Sequence, residues 1–354
     1  MSARLSSLPL RAPVNVTWEI TDACNLSCSH CLSADLRTPA GGKGGGQTGH
    51  LQTRGELDFD QCRALLDELS AMQVFQVNFG GGEPFLRDDF LDILRYAHSL
   101  GVTTCVSTNG TVLDEALADE LLRMWEGAPV YLQVSLDGAC AETNDAIRGS
   151  GTFARIMQAV DLLARRHYPE LSLNMVVTRP NVGEVGDFAE LARRYGAKSR
   201  LSRFRPSGAG CSSWEDYRLT REQLLGLSRF LGEHPEILTG DSFFSLTPDT
   251  RRKMGLQMCG AAKMTCAVAP NGDVYPCAFL CDPAFLAGNV TRERLSDTFR
   301  DSPVFGRFRD AEVESCRGCD RFSVCHGGCP AVAYFLTRST GNPDPECLRS
   351  VDSN

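Results

Sequence analysis

Apolar and polar positions alternate along residues 14–21, a run rich in β-branched side chains that predicts a short strand. From residue 60 onward two periods take turns. Residues 60–72, 87–100, 114–125, 153–166, 184–195 and 220–232 carry apolar side chains at helical spacing. Between them, 74–79, 102–107, 130–136, 171–178 and 198–204 read as strands. Strands that alternate with helices force right-handed crossovers and a parallel sheet. Six such units in about 200 residues predict an α/β fold, a partial (β/α)6 TIM-like barrel, where a closed barrel needs eight. The chain then divides into an extension at 1–13, the barrel at 14–235, a linker at 236–258 and a C-terminal region at 259–354. The glycine-rich stretch 41–49 predicts a mobile insertion: no strand leads into it and no G-K-[ST] closes it as a phosphate loop.

The formal net charge of −8, without a long Lys/Arg run, excludes a nucleic-acid partner. No membrane-spanning stretch is present, and residues 1–13 lack the apolar centre and cleavage site of a secretory signal, so a cytoplasmic protein is expected. Against that background the 16 cysteines point to metal ligation in place of disulfides. Twelve of them cluster, three at 24–31 and nine at 259–347. Cys62, Cys105, Cys140 and Cys211 lie scattered and read as small buried hydrophobes.

Cys24, Cys28 and Cys31 have C-x3-C-x2-C spacing on the loop that leaves the first strand's carboxyl end, where α/β barrels keep their chemistry. Three thiolates can hold three irons of a [4Fe–4S] cube and leave the fourth iron open. The competing reading is a zinc knuckle with His30 as fourth ligand. The loop resembles the signature of the radical S-adenosylmethionine (SAM) enzymes, with His30 where that family usually has an aromatic ring. The resemblance implies that the open iron chelates S-adenosylmethionine. Gly80-Gly81-Gly82-Glu83-Pro84 resembles the family's GGEP motif, which implies that Gly81, Gly82 and Glu83 hold the cofactor's amino group. Ser107 with Asn109, and Ser135 with Asp137, follow the third and fourth strands and suit its ribose hydroxyls and methionine end. Arg148 lies where relatives place an arginine on the cofactor carboxylate, against the plainer reading of a surface ion pair; Thr178 and Arg205 end the next two strands.

From Cys259 the spacing, with G-x4-C at 272–277 and C-x2-C-x5-C-x3-C at 316–329, resembles the SPASM extension of that family. This implies two auxiliary [4Fe–4S] clusters, three in all: Cys259, Cys266, Cys277 and Cys329 around one, Cys316, Cys319, Cys325 and Cys347 around the other. Cys281 remains as an alternative to Cys266. Fully ligated cubes carry electrons, so the resemblance implies that an electron leaves the substrate and the net change is oxidative; an external electron donor is expected as a partner.

Relatives act on peptides or proteins. Anaerobic sulfatase maturases carry an aspartate after the G-x4-C cysteine, where this chain has Ala278. The stretches 31–33, 72–84, 205–208, 238–244, 258–261, 286–290 and 342–347 resemble the mycofactocin maturases more closely. That resemblance implies oxidative decarboxylation of the C-terminal Tyr of a short precursor peptide, then a carbon–carbon cross-link to the penultimate Val. Too few residues precede the first strand for a leader-binding domain, so a small peptide-binding chaperone is expected as a partner. Asp241 is a candidate catalytic group, or a solvated linker carboxylate. The alternatives are another SPASM maturase, such as a sulfatase maturase, or an electron carrier without catalysis of its own.

Overall fold

A computed structural model describes residues 10–34, 55–125, 128–239, 259–320 and 322–348. One ten-stranded sheet runs through it in the order β10-β9-β8-β1-β2-β3-β4-β5-β6-β7. Strands β1 (Asn15–Thr21), β2 (Gln76–Gly81), β3 (Thr104–Thr108), β4 (Val130–Ser135), β5 (Leu171–Val177), β6 (Lys198–Arg203) and β7 (Leu238–Thr239) are parallel neighbours. The open partial barrel expected from the sequence is therefore the architecture.

The crossovers are α1 (Phe59–Ala71), α2 (Phe90–Ser99), α3 (Glu115–Trp125), α4 (Ala141–Arg148), α5 (Thr152–Arg165), α6 (Val185–Arg194), α7 (Gly210–Tyr217) and α8 (Arg221–Glu233). Capping boxes at Asp58/Gln61 and Thr220/Gln223 start α1 and α8. Two helices are additional to those expected, α4 and α7, and both are only eight residues long. Gly149 and Gly151, at φ 105° and 73°, separate α4 from α5. Helix α2 begins at Phe90, later than residue 87, because Pro84 opens a 3-10 turn over Pro84–Leu86.

The alternation within each strand sorts side chains by chemistry. Val16, Trp18 and Ile20 of β1, Val77 and Phe79 of β2, and Leu132 and Val134 of β4 are fully buried. Asn15, Thr17, Glu19, Gln76, Asn78, Gln133 and Ser135 take the opposite face and line an internal cavity. They pair with one another or their neighbours: Asn78 Nδ2 donates to Asn15 Oδ1 at 3.1 Å, and Gln133 Nε2 to Ser107 Oγ at 3.2 Å. A closed eight-stranded barrel fills its lumen with branched apolar side chains. This open one keeps the lumen polar and puts its apolar core on the sheet's other face.

The C-terminal region extends the same sheet. Strand β8 (Thr265–Val268) lies parallel to β1 with Val16 opposite Cys266, and β9 (Asp273–Tyr275) and β10 (Gly288–Asn289) follow antiparallel. Helices α9 (Leu295–Asp301), α10 (Pro303–Arg309), α11 (Phe322–Cys325) and α12 (Pro330–Thr337) complete it. Among the described residues, no helix is long and apolar enough to cross a membrane.

Candidate functional site

The cysteine loop that follows β1 is boxed in by backbone. Gly82 N donates to Thr21 O and Glu83 N to Ala23 O, both at 2.8 Å. A Cβ on Gly81 would stand 2.3 Å from Thr21 O, and one on Gly82 1.9 Å from Ala23 O, so only glycine allows the end of β2 to lie against this loop. On the other side Ser29 N bonds Ile147 O of α4 at 3.0 Å, and Ala209 N bonds Cys31 O at 2.9 Å. Gly208, at φ +56°, comes so close to the loop that a Cβ there would stand 2.4 Å from Cys31 O. Ser213 of α7 donates from Oγ to Ser29 O at 3.0 Å.

Cys24, Cys28 and Cys31 all line a cavity of about 580 Å³, together with Gly81, Gly82, Ser107, Asn109, Ser135 and Arg148. Two of the expected cofactor contacts stand behind that wall. Glu83 is fully buried and accepts from Thr108 Oγ1 at 2.8 Å and Asn109 N at 2.7 Å, which ties the ends of β2 and β3 together. Burial raises its carboxyl to about 7, although these donors pull the other way. Asp137 is fully buried as well, with Oδ2 2.7 Å from both His30 Nε2 and Arg148 Nε. Burial opposes its ionisation, but Arg148 and His30 outweigh that and hold it at about 2. Arg148 is thus held by a buried carboxylate at the cavity wall, not by a surface ion pair. Thr178 is buried and does not line the cavity.

Arg205 does line it. Its guanidinium lies 3.9 Å from the centre of the Phe279 ring, and its charge reaches the next group of thiols. Those thiols are Cys259, Cys277 and Cys329. Burial raises Cys259, to about 12, and the charge of Cys329 adds to that. Burial likewise raises Cys277, and Cys259 and Cys329 add to it, so the three are close enough to oppose one another's ionisation. Cys266 is raised to about 12 by burial alone and packs in the apolar core on β8 beside Val16. Cys281 sits within reach of the charges of Glu19 and Cys277. Among Cys316, Cys319, Cys325 and Cys347, the thiols of Cys316 and Cys325 are raised by burial and further by the charges of the other members.

The donor sets fit clusters. Each set is made of thiols, and His30, the fourth ligand of the zinc alternative, has its Nε2 2.7 Å from Asp137 Oδ2. Iron would displace protons from thiols held neutral by burial, so its binding would release protons. Cys140 and Cys211 correct the sequence reading: both are exposed, Cys140 at the start of α4 and Cys211 in the first turn of α7. Asp241 and the glycine-rich stretch 41–49 lie outside the described residues.

Sequence reasoning missed Arg203. It is buried at the end of β6 and lines the cavity. Its Nη1 and Nη2 bind Asp344 Oδ2 and Oδ1 at 2.6 and 2.7 Å, and its Nε binds Glu346 at 2.7 Å. An arginine on a strand and two acids some 140 residues later carry no joint signal in one sequence.

Comparison with known proteins places this geometry. Residues 18–192 match the radical SAM superfamily and residues 259–320 an iron-sulfur cluster-binding domain, SPASM. The chain is 42% identical to the mycofactocin maturase of Mycobacterium ulcerans, over 96% of this chain and 89% of that one. It is 30% identical to an AdoMet-dependent heme synthase of Methanosarcina barkeri, covering 95% and 97%. The S-adenosylmethionine-bound structure of Streptococcus suis SuiB shares the fold, with a TM-score of 0.72 at 17% identity, over 95% of this chain and 77% of that one.

Proposed function

The chain belongs to the radical SAM superfamily, to the SPASM-bearing peptide maturases related to mycofactocin maturase, and from that premise we propose its substrate and its chemistry. The substrate is the C-terminus of a short, ribosomally made precursor peptide, brought by a small peptide-binding chaperone. Its terminal Tyr loses the elements of formic acid by oxidative decarboxylation, and the resulting unsaturated unit is joined carbon to carbon to the penultimate Val. The observation that carries this reading is one cavity whose wall runs from Cys24, Cys28 and Cys31 to Arg205, Phe279 and Ala278, beside Cys277.

When bound, a [4Fe–4S] cube on Cys24, Cys28 and Cys31 with S-adenosylmethionine supplies a 5′-deoxyadenosyl radical. The protein's part is placement. Gly81 and Gly82 let the cofactor approach the backbone, and Ser107, Asn109 and Ser135 offer it hydroxyl and amide groups. Arg148, fixed by Asp137, directs a guanidinium at a carboxylate. Cys259, Cys277 and Cys329, with Cys266 or Cys281, and Cys316, Cys319, Cys325 and Cys347 would hold two auxiliary cubes, whose chemistry would be that of electron carriers. Ala278 lines the cavity where sulfatase maturases carry an aspartate, so that position offers no base here. This favours the mycofactocin reading over the sulfatase one.

Mass spectrometry of the precursor after anaerobic incubation with chaperone, reductant and S-adenosylmethionine tests the proposal. A C-terminus lighter by formic acid is expected; an unchanged peptide alongside 5′-deoxyadenosine would reject the substrate but keep the radical chemistry. No 5′-deoxyadenosine at all would leave only an electron carrier.

A further inference from the structure

Asp344 stands where three parts of the molecule meet. Its carboxylate takes both Nη atoms of Arg203, the arginine at the cavity wall, at 2.6 and 2.7 Å. The same carboxylate accepts Cys329 N at 3.0 Å and Glu346 N at 3.0 Å. Its backbone joins in: Asp344 N donates to Gly327 O at 2.8 Å, and Cys347 N donates to Asp344 O at 2.9 Å. Gly328, at φ +89°, passes so close that a Cβ there would stand 2.4 Å from Asp344 Cβ. Neither Asp344 nor Arg203 is available to solvent, with side chains 0% and 2% exposed. Cys329 belongs to one auxiliary set and Cys347 to the other.

We propose that Asp344, anchored by Arg203, is a positioning residue shared by the two auxiliary sets, so that both assemble, or fail to, together. One carboxylate fixes the backbone of Cys329 through its side chain and that of Cys347 through its own turn. Its orientation depends on a guanidinium that also binds Glu346, the residue before Cys347. Neutralising the carboxylate removes one of the charged acceptors that these donors need and takes a negative charge away from a buried guanidinium. The loop of Cys24, Cys28 and Cys31 is held from other sides, by Gly82, α4 and α7. The inference rests on the reading of two auxiliary sets and is independent of the peptide substrate, so it fails separately from the mass-spectrometric test.

The experiment is iron and sulfide analysis of anaerobically reconstituted Asp344→Asn beside the unsubstituted chain, with EPR of the reduced protein before and after adding S-adenosylmethionine. The unsubstituted chain should hold about twelve irons, four per cube, and the variant about four. Those four should still give an EPR signal that shifts with S-adenosylmethionine. About eight irons, one auxiliary cube surviving, overturns the shared role. So does full loading, and so does loss of all three cubes together, which would mean that the fold had failed. If Asp344→Asn is insoluble, Arg203→Lys decides by the same count, since lysine keeps the charge but cannot span both carboxylate oxygens.

Discussion

At the scale of single residues, the tightest constraint lies where β2 meets the cysteine loop. Gly82→Ala places a methyl group 1.9 Å from Ala23 O, so the loop carrying Cys24 must move. We expect loss of the S-adenosylmethionine-responsive EPR signal and at least a tenfold fall in 5′-deoxyadenosine formation, roughly 1.4 kcal/mol or more in barrier. Glu83 makes a different test. Its carboxyl, raised by burial from 4.5 to about 7, stays protonated in the folded chain while the unfolded chain ionises. Without S-adenosylmethionine, this group should therefore lower stability as pH rises from 4.5 through 7, by about 3 kcal/mol in all. Urea denaturation across this range should show a larger loss of stability in the unsubstituted chain than in Glu83→Gln, by about that amount. The residues that touch the cavity were legible as strand-end motifs. That Glu83 and Asp137 act from behind the wall was not, because a motif shows which loop a side chain sits on and not which way it turns.

Among the secondary-structure elements, the instructive contact is between α1 and α9. The carboxylate of Glu68 accepts Leu295 N and Ser296 N, each at 3.0 Å, and Ser296 Oγ at 2.8 Å. A barrel helix thus caps a helix of the C-terminal region, whose own Arg294 makes no side-chain cap. Glu68→Ala should cost about 1–2 kcal/mol, read as a lower urea midpoint. The six strands were legible because period-2 and period-3.6 runs alternate without overlap. Helices α4 and α7 were not, because eight residues hold barely two turns. The polar lumen was written in the alternation of β1, N-V-T-W-E-I-T, where a parallel strand buried on both faces would read as unbroken apolar sequence.

For the molecule as a whole, the three cysteine groups set the expected iron content. About twelve irons and twelve sulfides per chain should be found after anaerobic reconstitution, and Cys24→Ala/Cys28→Ala/Cys31→Ala should remove about four of each while the remaining clusters stay reducible. The cysteine spacings are what suggest this count. The way the groups are joined was not legible, since it depends on Arg203 and Asp344, which meet only through the fold.

The pairing of β1 with β8 also bears on how the chain is made. Residues 15–18 leave the ribosome some 250 positions before their partners at 265–268, and until then one rim of the sheet is an uncovered template for any extended segment nearby. Iron delivered before that rim is sealed would reach thiols in a half-built protein. Cluster insertion in the cell should therefore follow synthesis of β8, and translation stalled ahead of that strand should yield aggregates and not a smaller working enzyme.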